Sequence, residues 1–287
     1  MNTTDRILGE ALPNDGRSNP YQKRIYKNPV MAVKWAIKHG QRFPEAEPYI
    51  SKDPEGAYAY AKEVIAGRWP EAEAVIATDP HRAYKYAKEV IGGRWPEAEE
   101  ALKDPRSAHL AYWTYLYAKN VIGGRWPEVE AAIAKDPYAA YMYAVDVLKH
   151  RWPEAEAVIA TDPQRAYAYA KEVIGGRWPE GEPAIAKDRD WGRRYAKNVI
   201  GGRWPEAEAA IVTDPGRAYE YARDVIGGRW PEAEKHIATD RSAVDWAYKY
   251  LQAFPEAKLE WAMKGWFDVD WLSLDWLDLQ PLLRRDL

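Results

Sequence analysis

Seven arginines each stand directly before a tryptophan: Arg68, Arg94, Arg125, Arg151, Arg177, Arg203 and Arg229. A planar guanidinium can fork two donors onto a carboxylate or phosphate, or stack on an aromatic face. The column therefore has two readings. It bridges the aspartate cap of a neighbouring repeat or stacks on the adjacent ring, or else it faces a ligand. Tyrosine pairs recur beside it, at Tyr58/Tyr60, Tyr84/Tyr86, Tyr141/Tyr143, Tyr167/Tyr169 and Tyr219/Tyr221. Residues two apart on a helix do not share a face, so at most one of each pair lines a groove and the other belongs to the core. Arginine and tyrosine columns side by side would stack single-stranded bases or hold a small ligand. Against that, the net charge is −3 and cations alternate with anions in every repeat, whereas a phosphate-binding stripe needs a positive excess on one face. Glu-Ala-Glu pairs such as Glu154 and Glu156 look like paired carboxylates. They point roughly 200° apart on a helix and cannot share a substrate, so they read as negative charge at a helix start. The five histidines, His39, His81, His109, His150 and His236, fall at different places in the repeat. The absence of cysteine excludes disulfides, thiolate metal sites and cysteine nucleophiles. No zinc-protease, phosphate-loop, dinucleotide or nucleophile-elbow signature occurs. These residues predict a chain that is not an enzyme and carries no cofactor or metal.

The elements that position these columns come from one 26-residue phrase, clearest from Trp69 to Arg94. It returns with Trp at 69, 95, 126, 152, 178, 204 and 230 and with Phe at 43 and 254. A fixed period in this range marks a stacked repeat architecture. Pro70 suits a first helical position, and Glu71 and Glu73 place negative charge in the first turn. Trp69, Ala72 and Ile76 make a narrow apolar stripe. Asp79 precedes Pro80, which stops the first helix and caps a second. Ala83, Ala87, Val90 and Ile91 give the second helix its apolar face, and Gly92 and Gly93 end it with a left-handed cap. One such pair cannot bury its own aromatic surface, but stacked pairs can. The expected fold is all-α: an α-solenoid of about nine short helix pairs. A flexible N-terminal arm is expected at 1–27, the solenoid at 28–257, and a Trp-rich cap or docking segment at 258–287.

Three departures from the phrase mark places of interest. The second helix that starts at Asp104 is six residues longer than its siblings and holds His109, Leu110, Tyr112 and Trp113. Six residues turn an α-helix by about 600°, which is 240° out of phase. An extra turn, bulge or break is expected there, with a local aromatic protrusion that a partner could contact. The repeat from Trp178 carries Gly181 and Pro183 inside its first helix, and Pro183 removes a donor and crowds the preceding turn. A soft point is expected near 180–195. The last segment sets Trp266, Trp271 and Trp276 among Asp268, Asp270, Asp275 and Asp278, either as a cap on the last repeat or as an acidic-aromatic docking segment.

The phrase G-R-W-P-E-A-E…D-P-x-x-A-Y-x-Y-A-K-x-V-I, over roughly residues 43–257, resembles a tandem repeat of uncharacterised proteins encoded by bacteriophages and other large DNA viruses. That resemblance implies a source and no site residues. In architecture the repeats are similar to tetratricopeptide-type and leucine-rich-repeat-variant solenoids, which implies fold alone. The expected function is a non-enzymatic protein-binding scaffold, extended by the viral resemblance to an accessory factor that sequesters or inhibits a host defence protein. The alternative is binding of single-stranded nucleic acid or a small ligand by the arginine and tyrosine columns. No apolar run is long enough to span a membrane and no hydrophobic signal core opens the chain, so a cytoplasmic location is expected.

Overall fold

The computed structural model describes residues 27–103, 108–239 and 244–257. The arm before Lys27, the expected caps Asp104 and Asp240, and the segment 258–287 with Trp266, Trp271 and Trp276 lie outside the described residues. Within them are seventeen α-helices and no strand. The fold is an α-solenoid of repeated helix pairs, as the phrase predicts. The chain divides into two compact halves, Met1–Val158 and Ile159–Leu287.

The first half holds α1 (Pro29–His39), α2 (Glu47–Ile50), α3 (Pro54–Tyr60), α4 (Pro70–Ile76), α5 (Pro80–Tyr86), α6 (Pro96–Leu102), α7 (Ala108–Tyr117), α8 (Pro127–Ile133) and α9 (Pro137–Tyr143). Helix α10 (Pro153–Ile159) ends at the division. The second half continues with α11 (Pro163–Tyr169), α12 (Glu182–Ile185), α13 (Arg189–Tyr195), α14 (Pro205–Ile211), α15 (Pro215–Tyr221), α16 (Pro231–Thr239) and α17 (Val244–Ala253). Even-numbered helices are the first of each pair and odd-numbered helices the second. Within each half, a second helix packs on the next first helix and the next second helix, as α3 does on α4 and α5, or α13 on α14 and α15.

The caps act where the sequence places them. Asp79 is extended (φ −106°, ψ 114°), and its carboxylate accepts the Arg82 amide at 2.8 Å. This satisfies one of the donors that a helix start leaves without a partner. Asn28, Asp53, Asp136, Asp162, Asp188 and Asp214 cap their helices in the same way.

The end of the second helix departs from expectation. Its last five residues, Ala87–Ile91 after α5, widen into a π turn. The Ala87 carbonyl accepts both the Gly92 amide at 2.9 Å and the Gly93 amide at 3.1 Å. Gly92 takes the left-handed conformation at φ 76°, while Ala66 and Lys149 reach the same region at φ 55° and 60° without glycine's freedom. The widening rotates Val90 and Ile91 off the core face, so both remain partly exposed. The core is instead Trp69, Ala72 and Ile76 of the first helix, and Ala83, Tyr86 and Ala87 of the second.

The long second helix is absorbed at its start. Helix α7 has ten residues where α3, α5, α9, α11, α13 and α15 have seven, and Tyr117 and the π turn Ala118–Ile122 keep the usual places. The extra residues therefore put nothing out of phase, because they precede the part that must mesh with Trp95.

Helix α12 is interrupted as Pro183 predicts, four residues long against the usual seven. Even so, its repeat keeps every frame bond described below. Gly181 makes this fit: a Cβ there would lie 2.4 Å from Cε3 of Trp178.

Candidate functional site

The arginine column is built into the repeat. Arg68 Nε and Nη2 donate to the two carboxylate oxygens of Glu73 at 2.8 and 2.6 Å. The same fork joins Arg94 to Glu99, Arg125 to Glu130, Arg151 to Glu156, Arg177 to Glu182, Arg203 to Glu208 and Arg229 to Glu234. Arg42 and Glu47 extend the series to the repeat that starts at Phe43. The partner is thus the second glutamate of the arginine's own repeat, five residues on, and not the aspartate cap of a neighbour. That cap is occupied by its helix amides. Glu73, Glu99, Glu156 and Glu234 are buried, so the second glutamate of each pair is a structural anchor as well as a helix-start charge.

One tyrosine closes the network. The Tyr86 hydroxyl accepts the Trp69 amide at 2.7 Å and donates to Glu73 Oε1 at 3.0 Å. Its ring packs on the next tryptophan, Trp95, with centroids 5.0 Å apart. Tyr117, Tyr195 and Tyr221 hold Trp95, Trp178 and Trp204 by the same two bonds. Their rings meet Trp126, Trp204 and Trp230 at 5.4, 4.9 and 5.0 Å. Burial pushes the Tyr86 hydroxyl up to about 12, with Glu73 adding to it. The Arg68 hydrogen bonds hold Glu73 below the ordinary carboxylate value.

The other tyrosine is also packed away in four of the five pairs, and Tyr219 is half-buried. Tyr58, Tyr84, Tyr141 and Tyr167 are buried. Tyr58 donates to Glu89 of the next π turn at 2.6 Å, and Tyr115 to Asp146 in the same relation. Where asparagine stands there the roles reverse: Asn120 donates to Tyr84 at 3.0 Å and Asn198 to Tyr167 at 2.9 Å. With both tyrosines buried in four of the five pairs and each guanidinium forked on a carboxylate, the rings form no open column beside the arginines. A phosphate at an arginine would compete with a bidentate glutamate.

The expected aromatic protrusion is not there. Leu110, Tyr112 and Trp113 are partly buried. Trp113 lies back on the preceding second helix, stacked on His81 at 4.1 Å and against Tyr84 at 6.0 Å. Tyr112 lies forward on Tyr138, stacked at 5.6 Å. The extra turn thus joins its neighbours because stacking these rings buries more apolar area than projecting them would. The His109 side chain lies outside the described residues. Trp191 on Tyr167 and Trp246 on Tyr219 repeat the Trp113 contact at 5.4 and 6.0 Å. All three tryptophans stand four residues before the buried tyrosine, a register the sequence contains and that a repeat-by-repeat alignment would have exposed.

Over this constant frame the outer face of the second helices varies. Five residues before the buried tyrosine stand Glu55, His81, Tyr112 and Tyr138 in the first half, and Gln164, Asp190, Gly216 and Asp245 in the second. One residue before it stand Ala59, Lys85, Leu116 and Met142, then Ala168, Arg194, Glu220 and Lys249. All but Gly216 reach solvent. The face is aromatic and aliphatic around Tyr112, Tyr138, Leu116 and Met142, and charged in the second half. There Arg194 lies 4.6 Å over Trp191 and Lys249 4.1 Å over Trp246. The shortened α12 also leaves an open groove of about 370 Å³ lined by Thr161, Pro163, Glu180, Pro183 and Lys187. Among the described residues no group of three His, Asp or Glu could hold a metal ion. No described helix is long and apolar enough to cross a membrane. Compared with protein-family models, curated proteins and solved structures, the chain matches none of them.

Proposed function

We propose that the chain is a non-enzymatic scaffold that binds a protein through the outer face of its second helices. One contrast carries the reading. Arg, Trp, Glu and Tyr of the frame recur almost unchanged in every repeat, while the solvent-facing positions on the second helices change chemistry from repeat to repeat. Packing explains the first set and leaves the second unexplained, and a repeat array recognises a partner through such surface positions. The aromatic and aliphatic patch around Tyr112, Tyr138, Leu116 and Met142 supplies the anchors that protein interfaces favour. Charged positions in the second half supply register. The viral resemblance extends the proposal to a bacteriophage accessory factor that sequesters or inhibits a host defence protein in the cytoplasm.

The test is capture from host lysate, with and without nuclease, by three full-length proteins: the natural chain, a Tyr138→Ala/Met142→Ala variant and a Glu71→Ala control on an exposed first-helix site. The expected result is one host protein that survives nuclease, is retained by the control and falls at least about tenfold with the double variant, the loss of about 1.4 kcal/mol that an interface anchor exceeds. Capture that disappears with nuclease, or that the double variant leaves unchanged, overturns the proposal.

A further inference from the structure

The π turns leave a second feature that the frame does not use. Each ends in an aliphatic pair, and in the second half these are Val173–Ile174, Val199–Ile200 and Val225–Ile226. All six residues are partly exposed, and successive π turns pack side by side, so the pairs form rungs of one apolar ladder. A solvated helix end has no need of valine and isoleucine at the same two places in every rung. Cations flank the ladder at a fixed place: Lys171, Lys197 and Arg223 stand second in the three π turns, against Glu172 and Asp224 there.

The complement to that surface lies in the same chain. Residues 266–279 contain four aspartates, no Lys or Arg, three tryptophans and four leucines. The described residues end at Ala257, whose carbonyl is 3.5 Å from the Arg229 guanidinium, and Arg229 is three residues past Ile226 of the ladder. Thirty residues follow Ala257. At about 3.3 Å per residue they reach much further than three rungs at roughly 10 Å each. We propose that the C-terminal segment 258–287 docks in cis on the Val–Ile ladder of the second half, with its tryptophans and leucines on the rungs and its aspartates among the flanking cations. The ladder is a different surface from the outer positions assigned to a protein partner, so this inference stands or falls separately from that reading.

The absence of cysteine makes disulfide trapping in the full chain direct. Three variants pair Trp271→Cys with Ile174→Cys, Ile200→Cys or Ile226→Cys. A fourth pairs it with Glu206→Cys, on an exposed first-helix site in the same half. Each is checked for an unchanged circular dichroism spectrum and melting curve, then oxidised and run on a non-reducing gel. Docking in cis predicts an intramolecular bond that forms at one or more rungs at least about tenfold faster than at position 206, because docking raises the local thiol concentration. Cross-linked dimers in place of compact monomers would assign the segment to a second copy and overturn the proposal. Equal rates at the rungs and at position 206 would overturn it as well.

Discussion

The Tyr86 hydroxyl ties the second helix to the start of its own repeat: it receives the Trp69 amide, donates to Glu73, and so sits beside the carboxylate that Arg68 grips. The tryptophan contributes area. The indole nitrogens of Trp95, Trp126, Trp178, Trp204 and Trp230 are buried with no hydrogen-bond partner among the described residues, and phenylalanine serves at 43 and 254. Tyr86→Phe keeps the ring and removes the hydroxyl, leaving a buried amide unpaired, so it is expected to cost about 1–3 kcal/mol in denaturant melts at pH 8. The cost depends on pH. Burial raises Tyr86 from its ordinary 10.0 to about 12. The protonated hydroxyl therefore stabilises the fold fully below pH 10, and that contribution is lost as pH rises through 12. The gap between variant and natural protein should narrow from pH 10 to 12. Glu73 lies on the other side: lowered from its ordinary 4.5, it stabilises the fold above that value and loses this contribution as pH falls below it. A gap that is constant across the alkaline range would show that the Tyr86 hydroxyl titrates alike in folded and unfolded chains.

Among the helices, α2 and α12 show how one substitution requires another. Both carry a proline at the sixth position of the repeat, Pro48 and Pro183, and both shorten to four residues. The changed backbone brings the first aromatic ring closer. In α2 the ring is the smaller Phe43, which leaves room for Ala46. In α12 the ring is Trp178, and only glycine fits at 181. Helix propensity alone says that Gly181→Ala stabilises by about 1 kcal/mol. The overlap with Trp178 predicts the opposite sign, a loss of about 1–3 kcal/mol. The double variant Gly181→Ala/Pro183→Ala restores the sequence of Trp204–Ile211 and is expected to recover that loss, which thermal melts of both variants would read. A single variant more stable than the natural chain would remove the steric account.

The difference between what could and could not be read from the chain follows from distance along it. The Asp caps, the prolines and the glycines that end each second helix depend on neighbours within a few residues, and their types announce them. The bond from Trp69 to Tyr86 spans 17 residues and depends on how two helices cross. Equally, Val90 and Ile91 look like core until the π turn rotates them outward, and no residue type signals that widening. The extra residues before Tyr112 and Trp113 were legible as an insertion. Their direction was decided by the rings on the adjacent helices, His81 and Tyr138.

Because each tyrosine packs on the tryptophan of the following repeat, stability in such an array passes from neighbour to neighbour. Trp95 is 1% exposed and carries three links: its amide to Tyr117, its ring to Tyr86, and its carbonyl to the start of α6. Trp95→Ala removes the ring and should cost about 3–5 kcal/mol. The location of the damage discriminates more sharply than its size. Nearest-neighbour coupling predicts that amide hydrogen exchange rises in α5, α6 and α7, which touch the lost ring or its repeat, while α14–α16 in the other half keep their protection. A single global ΔG would instead lower protection everywhere by the same amount. If exchange in α14–α16 rises in step with α6, the two halves unfold as one cooperative body and the tyrosine–tryptophan contacts do not act locally. If it stays flat, a substitution in the frame is felt within about one repeat. The variable outer positions can then change from repeat to repeat without disturbing the rest of the array, which is the property a surface needs if it is to be tuned to a partner.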